Sequence, residues 1–137
     1  MTQSDAKLIL LVEDDSTIRS LVASMLASSG YIVVQANDGA DGLRRFCDLH
    51  GAVDLVLSDI TMPTLTGSQM VQRIRAIEPS VRVVFMTGKI SEANLSHGCL
   101  QTFSVLQKPF TTQTLIDAVA QSLRIRLKGA PESAPMR

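Results

Sequence analysis

Five short apolar segments alternate with segments of helical spacing, and this alternation constrains the fold more than any other feature of the sequence. The apolar segments cover residues 8–12, 31–35, 53–57, 81–86 and 103–106. Several of them are apolar throughout, which is typical of parallel strands covered on both faces. Right-handed β-α-β connections between them predict a parallel five-stranded sheet with helices on both sides, a three-layer α/β sandwich.

The helical segments each carry apolar residues at helical spacing. The stripes are Ile18, Leu21, Val22, Met25 and Leu26; Leu43, Phe46 and Cys47; Met70, Val71, Ile74 and Ile77; and Leu115, Ile116, Val119, Ala120, Leu123 and Leu127. Thr111 or Thr112 is placed to cap the last helix. Residues 91–100 have no clean stripe, so the helix predicted there is the weakest of the five.

Length and charge narrow the class of protein. The 137 residues suit one domain, for which we expect residues 1–128, with 129–137 as a flexible tail or the start of a linker. Thirteen basic and thirteen acidic residues argue against direct nucleic-acid binding. The apolar segments are far shorter than the roughly 20 residues of a membrane span, and the polar start lacks signal-peptide features. We expect a cytoplasmic protein with no membrane partner.

Polar residues stand where the predicted strands end. They are Glu13, Asp14 and Asp15 after the first strand, Asp59 after the third, Thr87 after the fourth and Lys108 after the fifth. Ligands of open α/β sheets bind beyond these carboxyl ends, so the side chains are expected to converge. Crowded carboxylates repel one another unless a cation neutralises them, and oxygen donors favour Mg²⁺.

This combination of groups suits phosphoryl transfer. A carboxylate held beside Mg²⁺ and the Lys108 ammonium can act as a nucleophile towards phosphorus. The two cations would neutralise charge on the transferring oxygens, and Thr87 could donate a hydrogen bond to one of them.

Four motifs in order give the chain its resemblance to a known family. They are VEDD at 12–15, DITMP at 59–63 followed by Gly67, FMTG at 85–88, and KPF at 108–110. With these motifs the chain resembles a two-component response-regulator receiver domain over about residues 6–127. Each motif alone is weak, but four in order at the expected strand ends are specific.

The resemblance implies a flavodoxin-like (βα)5 fold with strand order 2-1-3-4-5. It also implies that Asp59 accepts a phosphoryl group from a sensor histidine kinase or a histidine phosphotransfer protein. Thr87 matches the switch hydroxyl and Lys108 the characteristic lysine. For Mg²⁺, the resemblance implies Asp14 and Asp59 as direct ligands, the Thr61 backbone carbonyl as another, and Glu13 through water.

The product implied by such a domain is a change of shape that signals to a downstream protein. The chain is then not an enzyme, beyond promoting its own phosphorylation and dephosphorylation, and would be a monomer or a weak phosphorylation-dependent dimer. Whether it acts alone or as part of a larger regulator or hybrid kinase stays open, as do the stimulus and the downstream partner.

One position departs from the family pattern. Receivers usually carry Tyr or Phe three residues before the lysine, where this chain has Val105. We hypothesise that phosphorylation survives and that its coupling to the output face is altered.

The same residues allow other interpretations. Asp59 alone could be an exposed loop acid, and residues 13–15 a simple helix start, with Asp15 serving that role in either case. Gly67 is expected to permit an unusual dihedral angle and Pro109 to fix a turn. A magnesium-dependent phosphatase would need an acid where Thr61 stands, and a dinucleotide-binding domain would need a Gly-rich turn after the first strand.

Overall fold

The computed structural model describes residues 6–88 and 104–124 and contains one parallel sheet between two layers of helices. The strands are β1 (Leu8–Val12), β2 (Ile32–Ala36), β3 (Leu55–Asp59), β4 (Arg82–Thr87) and β5 (Ser104–Gln107). The helices are α1 (Ser16–Ser28), α2 (Gly39–Asp48), α3 (Gly67–Ile77) and α4 (Thr112–Arg124). The strand order is β2-β1-β3-β4-β5, which confirms the predicted topology.

Strands β2 to β4 begin one or two residues later than predicted. For β3 the reason lies in Asp54, whose carboxylate accepts the backbone N–H of Leu8 at 2.8 Å. A side chain thus takes the place of a backbone acceptor, and the ladder pairing β1 with β3 starts at Leu55. The shift makes Asp59 and Thr87 the last residues of their strands. Residues 91–100 and 103, where a helix and the start of a strand are predicted, lie outside the described part.

The core has two layers, one on each face of the sheet. Alternate residues of β1 enter opposite layers: Leu10 and Val12 pack with α2 and α3, whereas Ile9 and Leu11 pack with α1 and α4. All four side chains are fully buried. This covering on both faces explains the unbroken apolar run in the sequence, and it holds the strand ends in fixed positions.

The predicted apolar stripes are wider than the buried faces of the helices. Leu21 in α1 and Ile77 in α3 belong to the predicted stripes, yet they are 56% and 55% exposed. Ala23, which lies outside the predicted stripe of α1, is buried. Cys47 in α2 is an exposed free thiol. In these three helices the periodicity gave the correct side of the helix and overestimated the width of the packed face.

Polar side chains fix the starts of the helices that follow the strands. Asp15 caps α1, since its Oδ1 accepts the N–H groups of Thr17 at 2.9 Å and Ile18 at 3.0 Å. Thr111 caps α4 by accepting the N–H of Thr114 at 3.0 Å. Helix α1 therefore begins directly after the acidic turn formed by residues 13–15. Across residues 6–88 and 104–124, no helix is both long and apolar enough to cross a membrane.

Candidate functional site

The carboxyl ends of β1 and β3 bring three acidic side chains together. Val12 and Ser58 are register partners on these strands, so the residues that follow them, Glu13 and Asp59, leave the sheet side by side. Carboxylate oxygens of Glu13, Asp14 and Asp59 all lie within 4.8 Å of one another. Asp15 turns away to cap α1. The site therefore contains three of the four acidic residues at the carboxyl ends of β1 and β3.

Lys108 reaches this acidic cluster from the end of β5. Its Nζ lies 2.9 Å from Glu13 Oε1 and 3.4 Å from Asp59 Oδ2. Its backbone N–H donates to the carbonyl of Thr87 at 2.7 Å, which extends the pairing of β4 and β5 by one residue. The Lys108–Pro109 peptide bond is cis. One ammonium thus pairs with two of the three carboxylates, and the pocket keeps a negative charge.

Glu13 is 1% exposed, and its polar groups have partners on every side. Its N–H donates to the Ala36 carbonyl at 3.1 Å. Carboxylate atom Oε1 accepts from Lys108, and Oε2 accepts the backbone N–H of Asp15 at 3.1 Å. The Glu13 carbonyl accepts from Arg19 Nη1 at 2.7 Å. Such pairing is what allows an ionised carboxylate to remain buried.

The environment of Asp59 disfavours its charged form. Burial raises the pKa of Asp59 most, the neighbouring Glu13 and Asp14 charges raise it further, and Lys108 opposes both, which leaves a pKa of about 6. Burial lowers the pKa of Lys108, but its hydrogen bond to Glu13 and the attraction of Asp59 outweigh burial and raise it. Asp59 therefore binds its proton more tightly than an ordinary aspartate, and the lysine is charged at pH 7.

The remaining predicted residues lie on the segments beside the cluster. Thr87 ends β4 and is 1% exposed. Thr61 follows Ile60, whose N–H donates to the Met86 carbonyl at 3.1 Å, so the loop after β3 stays close to β4. Thr61 and Asp14 are exposed.

Gly67 does not have the unusual dihedral angle expected of it; in the described residues only Gly30 and Gly51 are glycines with positive φ. Its role is close packing instead. A Cβ at Gly67 would lie 2.1 Å from the carbonyl oxygen of Asp59. The start of α3 therefore rests directly on the backbone that presents the Asp59 side chain.

Val105 lies on β5 in register with Phe85 of β4. Phe85 is fully buried, and Val105 is partly buried against the same core layer. The aromatic ring in this part of the sheet is thus supplied by β4, and Val105 presents only a small side chain.

Two contacts of the acidic turn had no signal in the sequence. Arg19 stands in the second turn of α1, where a basic residue is ordinary, and nothing in its spacing indicates that it reaches back to the Glu13 carbonyl. The bond from the Asp15 N–H to the Glu13 carboxylate depends on the backbone path of the turn. Residue patterns do not report that path.

The three carboxylates suit a divalent cation with a preference for oxygen. Mg²⁺ takes one or two carboxylates and keeps several waters, which fits an arrangement in which Glu13 is buried and Asp14 is exposed. No His or Cys enters the group among the described residues, so its donor set does not resemble that of a zinc site.

Comparison with known proteins identifies this arrangement. The model of the response regulator receiver domain matches residues 9–120 of the chain. The chain belongs to the response regulator receiver family. The match begins at the second residue of β1 and includes β2 to β5 and the acidic cluster with Lys108. Receiver domains act in two-component phosphorelay systems.

Relatives of this receiver domain include both long and short proteins. The sensor kinase CckA of Brucella abortus (strain 2308) is 32% identical over 123 residues, which cover 88% of this chain and 13% of that protein. The response regulator receiver protein CpdR of the same strain is 31% identical over 118 residues, covering 85% of this chain and 97% of that protein. The chain thus spans about an eighth of the sensor kinase and nearly all of CpdR.

A solved structure shows the same architecture with a metal bound. The response regulator protein TrrA of Thermotoga maritima, in complex with Mg²⁺ and BeF, has a TM-score of 0.76 and 28% identity, covering 84% of this chain and 97% of that chain. A bound Mg²⁺ in a relative is consistent with the acidic cluster of this receiver domain.

Proposed function

We propose that Asp59 is the phosphoacceptor of this receiver domain and that it takes its phosphoryl group from a phosphohistidine on a sensor histidine kinase or a histidine phosphotransfer protein. The observation that carries the proposal is the position of the Asp59 carboxylate. It ends β3, keeps 13% of its side-chain surface accessible, and lies 3.4 Å from the Lys108 ammonium. Within the cluster, the Asp59 carboxylate is partly buried, remains accessible to a phosphoryl donor and lies next to a cation.

In the proposed step, one carboxylate oxygen of Asp59 forms a bond to phosphorus while the bond from phosphorus to the donor histidine nitrogen breaks. The electron pair of that bond returns to the ring nitrogen. An imidazole that is protonated on its other nitrogen leaves neutral, whereas an unprotonated one leaves as imidazolate and takes a proton from water. The aspartate becomes an acyl phosphate. Lys108 remains charged near neutral pH, since its pKa is raised, and it can pair with the phosphoryl oxygens.

Asp14 and Asp59 would hold Mg²⁺ directly, with the Thr61 carbonyl as a further ligand and Glu13 through water. When bound, Mg²⁺ neutralises negative charge on the carboxylates and on the phosphoryl oxygens. The carboxylate oxygens lie close enough together to share one ion. Burial raises the pKa of Asp59 most and the repulsion of Glu13 and Asp14 raises it further, so a cation at the site would relieve both costs.

Thr87 is proposed to respond to the phosphoryl group by donating a hydrogen bond to it. It ends β4 beside Lys108, and its side chain is buried at the carboxyl edge of the sheet. A hydroxyl there can donate to a phosphoryl oxygen and shift a two-state equilibrium of the domain. The output is then a change in the surface offered to another protein, and the chain turns over no external substrate.

A donor protein also needs a surface on which to dock. An apolar cleft of about 170 Å³ lies between α1 and the loop after β5, lined by Ile18, Leu21, Val22, Met25, Lys108, Pro109 and Phe110. Lys108 belongs both to this cleft and to the phosphoryl site. A phosphohistidine brought to Asp59 therefore places its protein over the cleft, where exposed Leu21 offers apolar contact.

Incubation with acetyl phosphate and Mg²⁺, followed by intact-mass measurement, tests the proposed function. We expect one phosphoryl adduct that is removed by alkali, that requires Mg²⁺, and that is absent from Asp59→Asn. The matched control Asp48→Asn removes an exposed carboxylate of α2 and should leave the adduct unchanged. An equal adduct on Asp59→Asn would refute Asp59 as the acceptor. Continuous release of phosphate without a lasting adduct would favour a phosphatase.

A further inference from the structure

Arg19 connects helix α1 to the acidic turn. Its Nη1 donates to the carbonyl of Glu13 at 2.7 Å, six residues back along the chain. Arg19 itself is anchored in the helix, since its backbone N–H donates to the Asp15 carbonyl at 2.8 Å. The guanidinium therefore joins helix α1 to Glu13, the buried first residue of the Glu13–Asp15 turn.

The Glu13 carbonyl needs this donor because of where it lies. Glu13 is almost fully buried, and a buried carbonyl without a partner is strongly disfavoured. The N–H of the same residue is bonded to β2 through Ala36, so the backbone of Glu13 is held from both sides. Removing the Arg19 contact would free one of these two sides.

The same contacts hold the carboxylates of the turn. Asp15 caps α1 with its side chain and donates its N–H to Glu13 Oε2 at 3.1 Å, so the helix start and the Glu13 carboxylate are fixed together. Asp14 lies between these two residues, in a turn closed on one side by Arg19 and on the other by the cap. The orientation of Asp14 thus depends on contacts in which its own carboxylate takes no part.

We propose that Arg19 is a positioning residue that holds the Glu13–Asp15 turn in the geometry needed to bind Mg²⁺. This inference rests on the proposed function of the site. Arg19 supplies no metal ligand and acts through the backbone of Glu13. Partners one shell away from a metal ligand commonly change metal affinity by about 10- to 100-fold when they are removed.

Arg19→Ala, Arg19→Lys and the control Arg44→Ala test the proposal. Arg44 also carries a positive charge on a helix, but it pairs with Asp41 and its side chain is 67% exposed. Titration calorimetry with Mg²⁺ alone should show about tenfold weaker binding for Arg19→Ala. Arg19→Lys, which keeps a charged donor, should recover most of that loss, and Arg44→Ala should bind as the parent does.

A second measurement needs no metal. In the metal-free protein, NMR order parameters of the Asp14 and Asp15 amides should fall from about 0.85 towards 0.6 in Arg19→Ala and stay high in Arg44→Ala. With acetyl phosphate, Arg19→Ala should need about tenfold more Mg²⁺ for half-maximal phosphorylation yet reach nearly the parent rate at saturation.

Unchanged Mg²⁺ affinity or unchanged order parameters in Arg19→Ala would overturn the role of Arg19. So would equal weakening in Arg44→Ala, which would assign the effect to net charge, or an Arg19→Lys protein as weak as Arg19→Ala, since a charged donor on a stem of similar length would then fail to hold the turn. A parent chain that binds no Mg²⁺ would instead contradict the proposed function, and the metal-free order parameters would still decide whether Arg19 holds the turn.

Discussion

Replacing Asp59 by Asn is expected to stabilise the metal-free protein at neutral pH. The native structure holds the charged form of Asp59 in a partly buried position near Glu13 and Asp14, and its pKa rises from 3.8 to about 6. Charge at this position therefore costs folding free energy that the unfolded chain does not incur. Asparagine keeps the shape of the side chain and removes the charge.

The size and the pH dependence of the effect follow from the shift in pKa. Below pH 3.8 the acid is protonated in both states, so the parent and the variant should be equally stable. Between about pH 4 and pH 6 the unfolded chain releases the proton while the native chain keeps it, and the native state of the parent becomes relatively less stable. Above pH 6 the difference levels off at about 3 kcal/mol, a figure in which the opposing attraction of Lys108 is already counted.

Urea unfolding in the presence of a chelator, at pH values from 4 to 8, measures this difference. With a slope of about 1.5 kcal/mol per molar urea, 3 kcal/mol moves the midpoint by roughly 2 M. The control Asp48→Asn removes an exposed carboxylate of α2 and should show no step between pH 4 and pH 6.

Mg²⁺ should reverse the order of stability. An ion that binds only the native parent adds about 4.1 kcal/mol at a concentration roughly one thousand times its dissociation constant, which exceeds the difference of about 3 kcal/mol, and Asp59→Asn loses one of the proposed ligands. An Asp59→Asn protein that is no more stable than the parent at pH 7.5 without metal would refute the claim that burial and neighbouring carboxylates make the charge on Asp59 costly. A stability difference that stays constant from pH 4 to pH 8 would refute it equally.

Three further substitutions test other parts of the account. Gly67→Ala should lower the free energy of unfolding by about 3 kcal/mol, because its Cβ would meet backbone at the end of β3. Gly88→Ala meets no atom of the described residues within 4 Å and should change that free energy little in the same urea experiment. Leu21→Gln should slow phosphorylation by a histidine phosphotransfer protein roughly fivefold and leave acetyl phosphate labelling unchanged. If the equally exposed control Ile77→Gln is phosphorylated at the same rate as Leu21→Gln, the cleft beside α1 is not the docking surface. Val105→Tyr should extend the amide shifts caused by Mg²⁺ and beryllofluoride along β5 and α4; shifts as extensive in the parent would contradict the altered coupling.

The architecture could be predicted because the signal for it is spread over many residues. Buried strands such as β1 are apolar on both faces, and this pattern together with the helical spacing leads to a parallel sheet. The width of the buried face of each helix was predicted less well, since Leu21 and Ile77 continue an apolar stripe but are exposed and do not reach the sheet. Periodicity reports which direction a side chain takes and does not report how far the neighbouring element extends.

The candidate site could be predicted in its residues and only partly in its contacts. Parallel strands end at one edge, so the convergence of Asp59 with Glu13 and Lys108 follows from topology. The role of Gly67 was mistaken because close approach and unusual dihedral angles both favour glycine. The contact of Arg19 was missed because it depends on the path of one turn, which the order of residue types does not specify.

The central claim is that the acyl phosphate forms on Asp59, and chemical trapping locates that group directly. The protein is phosphorylated with acetyl phosphate and Mg²⁺ and treated with borohydride, which reduces an aspartyl phosphate to homoserine, and peptide mass spectrometry then reads the modified position. Homoserine is expected at position 59, with Glu13, Asp14 and Asp15 unmodified. Homoserine at Asp14, or a phosphoryl group that resists borohydride on a Ser, Thr or His peptide, would contradict the central claim.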